Sequence, residues 1–429
     1  MAYLLNALYV LLLLIFSPLL CWRGWKSGKY RQGWAEKFLG DAPRRTDDRP
    51  CLWFHAVSVG EVLLLKPIVA EIARKDEWDV VISTTTTTGL AVARRTYPDL
   101  VTFYAPLDFS WATRRAVARV RPTVLALVEL ELWPNLVSAA KDFGARVTIV
   151  NGRLSERSHR GYRRIRWALK RTLAKMDSVA AQTEEYADRF VDLGLSPTKV
   201  HVTGSVKYDG LETDRGNFQT NALRRELGVS LFELIFVAGS TMEGEEAAAL
   251  SAFLRARETH PQLRLILVPR HAERFDQVAL MLAARGISYI RRSKPTTIHG
   301  KGNDSPVVLV DTLGELSAVW GLADVAFVGG SLYPGRNGQN MMEAAAYGGS
   351  ILFGPHTGNF KDAVEGLLAR GAARRVRDAE DLGLALLNDL DDPESASERG
   401  AKGRAFVLAQ RGAAARTVAD LERLGRRAG

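Results

Sequence analysis

The run Val325-Ala326-Phe327-Val328-Gly329-Gly330-Ser331, followed by Asn337-Gly338-Gln339-Asn340-Met341-Met342-Glu343-Ala344-Ala345-Ala346, decides how this chain is read. A short apolar run stops at two glycines and gives way to a helix-like pattern, so backbone N–H groups and a helix N-terminus are offered where an anion could sit. The pattern points to a phosphate-bearing nucleotide, with Gly330 and Ser331 at the turn and Asn340, Met341, Met342 and Glu343 opening the helix. Glu343, one turn in, could accept hydrogen bonds from a ribose diol. Ordinary strand-to-helix glycine turns share this pattern, so the remainder of the chain has to decide.

Outward from that stretch, β-rich runs alternate with helical patterns. They are 52–56, 79–83, 101–104, 124–128, 147–150, 179–182 and 200–203, then 234–237, 264–268, 288–290, 307–310, 325–328 and 351–353. Such alternation predicts parallel sheets with crossover helices. Residues 207–219 are polar and irregular and read as a linker. The expected organisation is an N-terminal membrane anchor at 1–22, a Rossmann-like α/β domain at 23–206, the linker, and a second Rossmann-like domain at 220–429 that ends in helices. Two doubly wound domains place a ligand cleft between the carboxyl ends of their sheets. No G-x-G-x-x-G follows the first strand, which argues against fused dehydrogenase domains, and there is no Walker A motif, internal repeat or low-complexity tract.

At 429 residues the chain is long enough for about two domains. Two cysteines, Cys21 and Cys51, are too few for a disulfide framework and lack metal-ligand spacing, so a reducing compartment and no metal are expected. Met1 to Trp22 carries no charge and is long enough to cross a bilayer, while cations follow at Arg23, Lys26, Lys29 and Arg31. That order predicts a retained anchor with the remainder on the cytoplasmic side, at the inner membrane. The net charge of +10 suits acidic partners. Its densest patch runs from Arg157 to Lys175 without an acid, with Tyr162 and Trp167 among the cations, and beside an anchor it suits an anionic membrane surface better than nucleic acid.

Chemistry-bearing residues gather at the predicted strand ends. Ser58 and Glu61 have the spacing of a capping box, and Glu61 also suits a general base taking a proton from an attacking hydroxyl. Glu131 lies in Glu129-Leu130-Glu131-Leu132-Trp133-Pro134-Asn135, just past an apolar strand, where it could stabilise charge or hold a cation. Lys207 ends the first domain and suits an acidic substrate. In the second domain Ala238 to Glu246 joins a strand to a helix with N–H groups suited to an anion. Pro269-Arg270-His271 closes the next strand, with Arg270 as a phosphate clamp and His271 as a second donor. Leu313-Gly314-Glu315 follows a further strand.

These motifs occur in order with Asn151-Gly152-Arg153-Leu154-Ser155 and Gly204-Ser205-Val206-Lys207-Tyr208-Asp209. Together they resemble the transferases of 3-deoxy-D-manno-octulosonic acid (Kdo) in lipopolysaccharide synthesis, over essentially the whole chain. The resemblance implies the GT-B fold, CMP-Kdo as donor, a lipid A precursor (lipid IVA) as acceptor, and no cofactor or metal. It implies Glu61 as proton acceptor, Glu131 and Lys207 as transition-state stabilisers, and CMP contacts at Pro269 and Arg270, at Leu313 to Glu315 and at Asn340 to Glu343. The family usually has histidine before that asparagine and Pro-Leu after it, where this chain has Gln339 and Met341-Met342. A UDP-sugar transferase or epimerase, and a non-catalytic membrane-tethered binding protein, are the competing expectations.

Overall fold

The computed structural model describes residues 3, 5–7, 9–11, 13–15, 17, 32–299 and 306–426. They form two compact units, Met1–Gly210 with Gln410–Gly429, and Leu211–Ala409.

The first unit holds a seven-stranded, wholly parallel sheet: β1 (Cys51–His55), β2 (Asp79–Thr84), β3 (Val101–Tyr104), β4 (Val124–Val128), β5 (Arg146–Gly152), β6 (Ser178–Ala181) and β7 (Val200–Val202), in the order β3-β2-β1-β4-β5-β6-β7. Alternate side chains pack on opposite faces, as the pleat requires. Trp53, Leu125 and Leu127 join one apolar cluster, and Leu52, Phe54, Val124, Ala126 and Val128 the other. Helices are needed on both faces. Those that bear on the site are α1 (Val59–Leu64), α2 (Thr87–Thr96), α3 (Pro134–Phe143), α4 (Glu156–Arg164) and α5 (Arg166–Leu173).

The second unit holds β8 (Leu234–Thr241), β9 (Leu263–Pro269), β10 (Tyr289–Arg291), β11 (Lys294–His299), β12 (Val307–Leu309), β13 (Val325–Val328), β14 (Ser350–Phe353) and β15 (Arg374–Arg375), in the order β11-β10-β12-β9-β8-β13-β14-β15. Helices α6 (Glu245–Arg257) and α7 (Met341–Ala346) follow β8 and β13. All pairings are parallel except β10 with β11. That antiparallel edge was not expected: Lys294-Pro295-Thr296-Thr297-Ile298-His299 is polar and contains proline, a composition that suits an outer strand.

The C-terminus also differs from expectation. Helix α8 (Ala413–Arg426) belongs to the first unit, not to the domain that precedes it. Its stripe Ala414, Val418, Leu421 and Leu424 packs with Leu52 and Phe54 on one face of the first sheet. Asp209 accepts from the N–H groups of Gly412 (2.6 Å) and Ala414 (2.9 Å), and Arg416 Nε donates to Thr203 O at 2.8 Å. The unit boundary accordingly falls at Gly210–Leu211 rather than at residue 207.

Most of the anchor expected at 1–22, and Arg23, Lys26, Lys29 and Arg31, lie outside the described residues. Those described between Tyr3 and Ser17 are helical, and among the described residues no helix is long and apolar enough to cross a membrane. Asn6 Nδ2 donates to Ser110 Oγ at 2.7 Å, and the Tyr9 hydroxyl donates to Asp108 at 3.1 Å. Asp108 also accepts from the N–H groups of Asn135 and Leu136 at the start of α3. Burial pushes its carboxyl up to about 6, against those hydrogen bonds.

Candidate active site

Both sheets reverse their strand order beside the first strand of the unit, between β1 and β4 and between β8 and β13. At such switch points the loops leaving the carboxyl ends of the strands part and leave room for a ligand. The sequence motifs fall on these loops.

In the first unit Ser58 caps α1, and its Oγ accepts from Glu61 N at 3.3 Å. The Glu61 carboxylate turns back, accepting from Ser58 Oγ at 2.8 Å and from Val57 N at 2.7 Å. This is a capping box shifted by one residue, since the returning carboxylate takes the N–H before the cap. Burial pushes the Glu61 carboxyl up; the two hydrogen bonds oppose this, and the charges of Glu131 and Glu129 add to it. A half-buried carboxylate raised in this way holds a proton more readily than an ordinary glutamate.

Across the switch point Glu129 and Glu131 leave β4. The Lys207 amine lies 3.7 Å from Glu129 Oε1, whereas Glu131 Oε2 accepts from Trp133 Nε1 at 3.0 Å. Sequence reasoning put weight on Glu131 and passed over Glu129. Two acids two residues apart in an irregular loop carry no signal that separates them; the left-handed backbone of Glu129, φ 58°, turns it to the lysine. Asn151, φ 53°, holds the lysine's turn by accepting from Val206 N at 3.1 Å. His55, at the end of β1, is fully buried and pushed down to about 4 by desolvation, so it is neutral at physiological pH. Its Nδ1 lies 3.0 Å from Ser83 Oγ, and its ring stands edge-on to Trp133.

Arg157, Arg160, Arg163, Arg164 and Arg166 are exposed along α4 and the start of α5, and Trp167 is 79% exposed. Tyr162, on the same helix, packs against the same apolar cluster as Leu130, Leu132 and Trp133 of the Glu131 loop.

In the second unit Pro269 ends β9 and Arg270 N donates to Thr241 O at 3.0 Å, while the Arg270 side chain is exposed. His271 follows at the turn. Asn340 caps α7: its Oδ1 accepts from Met342 N at 3.2 Å and its Nδ2 donates to Glu343 Oε1 at 3.0 Å. Burial pushes the Glu343 carboxyl up, with the Asn340 bond and the Arg270 charge opposing. Leu313 is exposed after β12, beside Gly314, while Glu315 accepts from Arg292 Nη2 at 3.0 Å and from the Thr312 hydroxyl.

The glycine turn itself corrects an expectation. The N–H groups of Gly330 (2.7 Å), Ser331 (2.9 Å) and Leu332 (2.8 Å) donate to the carboxylate of Glu245, which also accepts from Met242 N at 2.8 Å. The amides of Gly330 and Ser331, and the Met242 amide in the loop after β8, therefore face a carboxylate of the chain itself instead of a ligand anion. Glu245 is 1% exposed and was not singled out from the sequence, where Glu243-Gly244-Glu245-Glu246 reads as an ordinary acidic helix start. Among the described residues no group of three or more His, Cys, Asp or Glu side chains is arranged to hold a metal ion.

A UDP-GlcNAc 2-epimerase from Neisseria meningitidis is similar in fold, with a TM-score of 0.57 at 12% identity, covering 84% of this chain and 99% of the epimerase. The fold is that of GT-B glycosyltransferases and related nucleotide-sugar enzymes. Residues 32–210 match the family described as 3-deoxy-D-manno-octulosonic-acid transferase (kdotransferase). The transferase of that name from Bordetella pertussis is 37% identical over 383 residues, 86% of each chain, and that from Haemophilus influenzae 33% over 422 residues, 96% of each. This chain belongs to the 3-deoxy-D-manno-octulosonic acid transferase family and is a glycosyltransferase.

Proposed function

We propose that this protein transfers Kdo from CMP-Kdo, with inversion, to a sugar hydroxyl of a lipid A precursor such as lipid IVA, and that Glu61 is the general base. The observation that carries the reading is the Glu61 carboxylate, raised by burial and held by Val57 and Ser58 beside the Glu129–Lys207 pair, in a chain of this family. The acceptor hydroxyl gives its proton to Glu61 as its oxygen bonds to the anomeric carbon of Kdo, and the bond from that carbon to the phosphate oxygen breaks to release CMP. Single displacement inverts the centre. Lys207, paired with Glu129, offsets negative charge on the first unit. In the second unit Arg270 and His271 take the phosphate of CMP, with Leu313, Asn340 and Glu343 at the same sheet edge for the nucleoside. A metal has no part in this scheme, since these cations carry the charge that develops.

The apolar segment 1–22 and the exposed arginines of α4 support a place at the cytoplasmic face of the inner membrane, where an embedded acceptor would be met in two dimensions. The test uses purified protein, CMP-Kdo and a tetra-acylated lipid A precursor, with products weighed by mass spectrometry. The wild type adds the mass of Kdo, and Glu61→Gln loses at least about 10²-fold in rate with CMP affinity and melting temperature unchanged. Retention of most activity would show that the base lies elsewhere.

A further inference from the structure

Five consecutive threonines, Thr84 to Thr88, end β2 and open α2, and the chemistry so far gives them no part. The Thr84 hydroxyl donates to Val57 O at 3.0 Å, and the Thr85 hydroxyl donates to the same oxygen at 3.2 Å. Thr86 accepts from Gly89 N at 3.0 Å and so caps α2. Gly89 has to lack a side chain, because a Cβ there would stand 2.5 Å from Thr84 Oγ1 and 2.7 Å from Thr86 Oγ1. The run is therefore built to deliver two hydroxyls to one carbonyl.

That carbonyl sits inside the support of Glu61. Between β1 and β2 the last backbone bond runs from Ala56 N to Ser83 O. At Val57 the hydroxyls take over on the carbonyl side, while the Val57 N–H and the Ser58 hydroxyl both turn to the Glu61 carboxylate. Rotation about the bonds of Val57 would carry both donors away together, and the two threonine bonds oppose that rotation.

We propose that Thr84 and Thr85 are positioning residues for the transfer: by donating to Val57 O they fix the Val57–Ser58 segment that holds the Glu61 carboxylate ready to accept a proton. The proposal rests on Glu61 being the base. Donors to the ionised form favour ionisation, so releasing them moves the Glu61 titration upward. The other groups acting on Glu61 are Glu131 and Glu129 from the loop after β4, with Lys207 at Glu129 and neutral His55 at the end of β1; a threonine-to-valine change alters none of them.

The experiment compares the full chain with Thr84→Val/Thr85→Val, a change that keeps side-chain shape and removes only the hydroxyls. In the CMP-Kdo assay, kcat falls about tenfold at neutral pH with the KM for CMP-Kdo unchanged. The acidic limb of kcat/KM moves up by about one pH unit. Thr84→Ser/Thr85→Ser, which restores the donors, returns the limb to its wild-type place, and Thr85→Val alone, at a half-buried position, gives a smaller move in the same direction should the double variant fold poorly. An acidic limb that stays in place in both valine variants, with Glu61→Gln inactive, overturns the clamp. An active Glu61→Gln overturns the base assignment instead, so the two failures are told apart.

Discussion

Replacing Glu245 by alanine tests the account of the glycine turn most directly. Its carboxylate accepts from four backbone N–H groups, those of Met242, Gly330, Ser331 and Leu332, at 2.7 to 2.9 Å. The site is 1% exposed, so solvent does not stand ready to replace it. An unsatisfied buried donor costs about 1–3 kcal/mol, and four at the lower limit give about 4 kcal/mol, part of which water entering the vacated space would offset. In a unit the size of Leu211–Ala409, about 4 kcal/mol corresponds to a melting transition lower by about 8–16 °C. Hydrogen-exchange mass spectrometry on the peptide covering 325–332 assigns the loss, because the three amides after β13 would open about 10³-fold more often at that cost. Glu245→Gln keeps one acceptor oxygen and is expected to cost about half as much. Gly329 is part of the same arrangement: a Cβ there would meet Glu245 Oε2 at 2.7 Å and the Thr241 backbone at 2.6 Å. If Glu245→Ala melts within about 2 °C of the wild type and the three amides stay protected, the carboxylate is not what satisfies the turn.

Lys207→Met removes a half-exposed ion pair, so stability in urea changes by less than about 1 kcal/mol, while Kdo transfer falls at least about tenfold by mass spectrometry. Because burial raises Glu61, transfer declines as pH falls through a value above the ordinary glutamate range, and a pH–rate profile with its acidic limb in the ordinary range would contradict this. Asp108 is at about 6 in the fold against 3.8 in the open chain, so its contribution to stability is fully present below 3.8 and lost as pH rises through about 6. Between pH 4 and 7 the wild type is expected to lose about 2 kcal/mol relative to Asp108→Asn, measured by urea unfolding at each pH.

Strands buried on both faces were legible. Val124–Val128 and Val325–Val328 fall where uninterrupted apolar runs put them, because helices cover both sides of a parallel sheet. Strands β11 and β15 were not legible: one is polar with a proline and the other is two arginines, and outer strands need no apolar face. The stripe of α8 announces that it covers something, but periodicity does not name which sheet; the cap from Asp209 and the open face beside Leu52 and Phe54 decide it. At the site the capping-box spacing of Ser58 and Glu61 was readable, since it is a local contact across three residues. The partners of Lys207 and of the glycine turn were not, since Glu129 and Glu245 reach them from 78 and 85 residues away along the chain.

The departures at Gln339 and Met341-Met342 can be weighed by where those side chains go. Met341 and Met342 are 0% and 4% exposed, so the pair packs behind α7 and alters the filling of the core, while the polar edge of the helix is left to Asn340 and Glu343, which remain bonded to each other. Gln339 differs, because its side chain approaches to about 3.1 Å of where a Cβ on Gly330 would stand and therefore lies over the glycine turn. Since Glu245 already satisfies the amides beneath it, the carboxamide of Gln339 is a polar group at this turn still able to turn toward a ligand. A histidine in its place would bring a titratable ring, whereas glutamine brings a donor and an acceptor that do not change with pH. In the proposed reading, the substitution bears on the pH range of donor recognition more than on the fold that presents it.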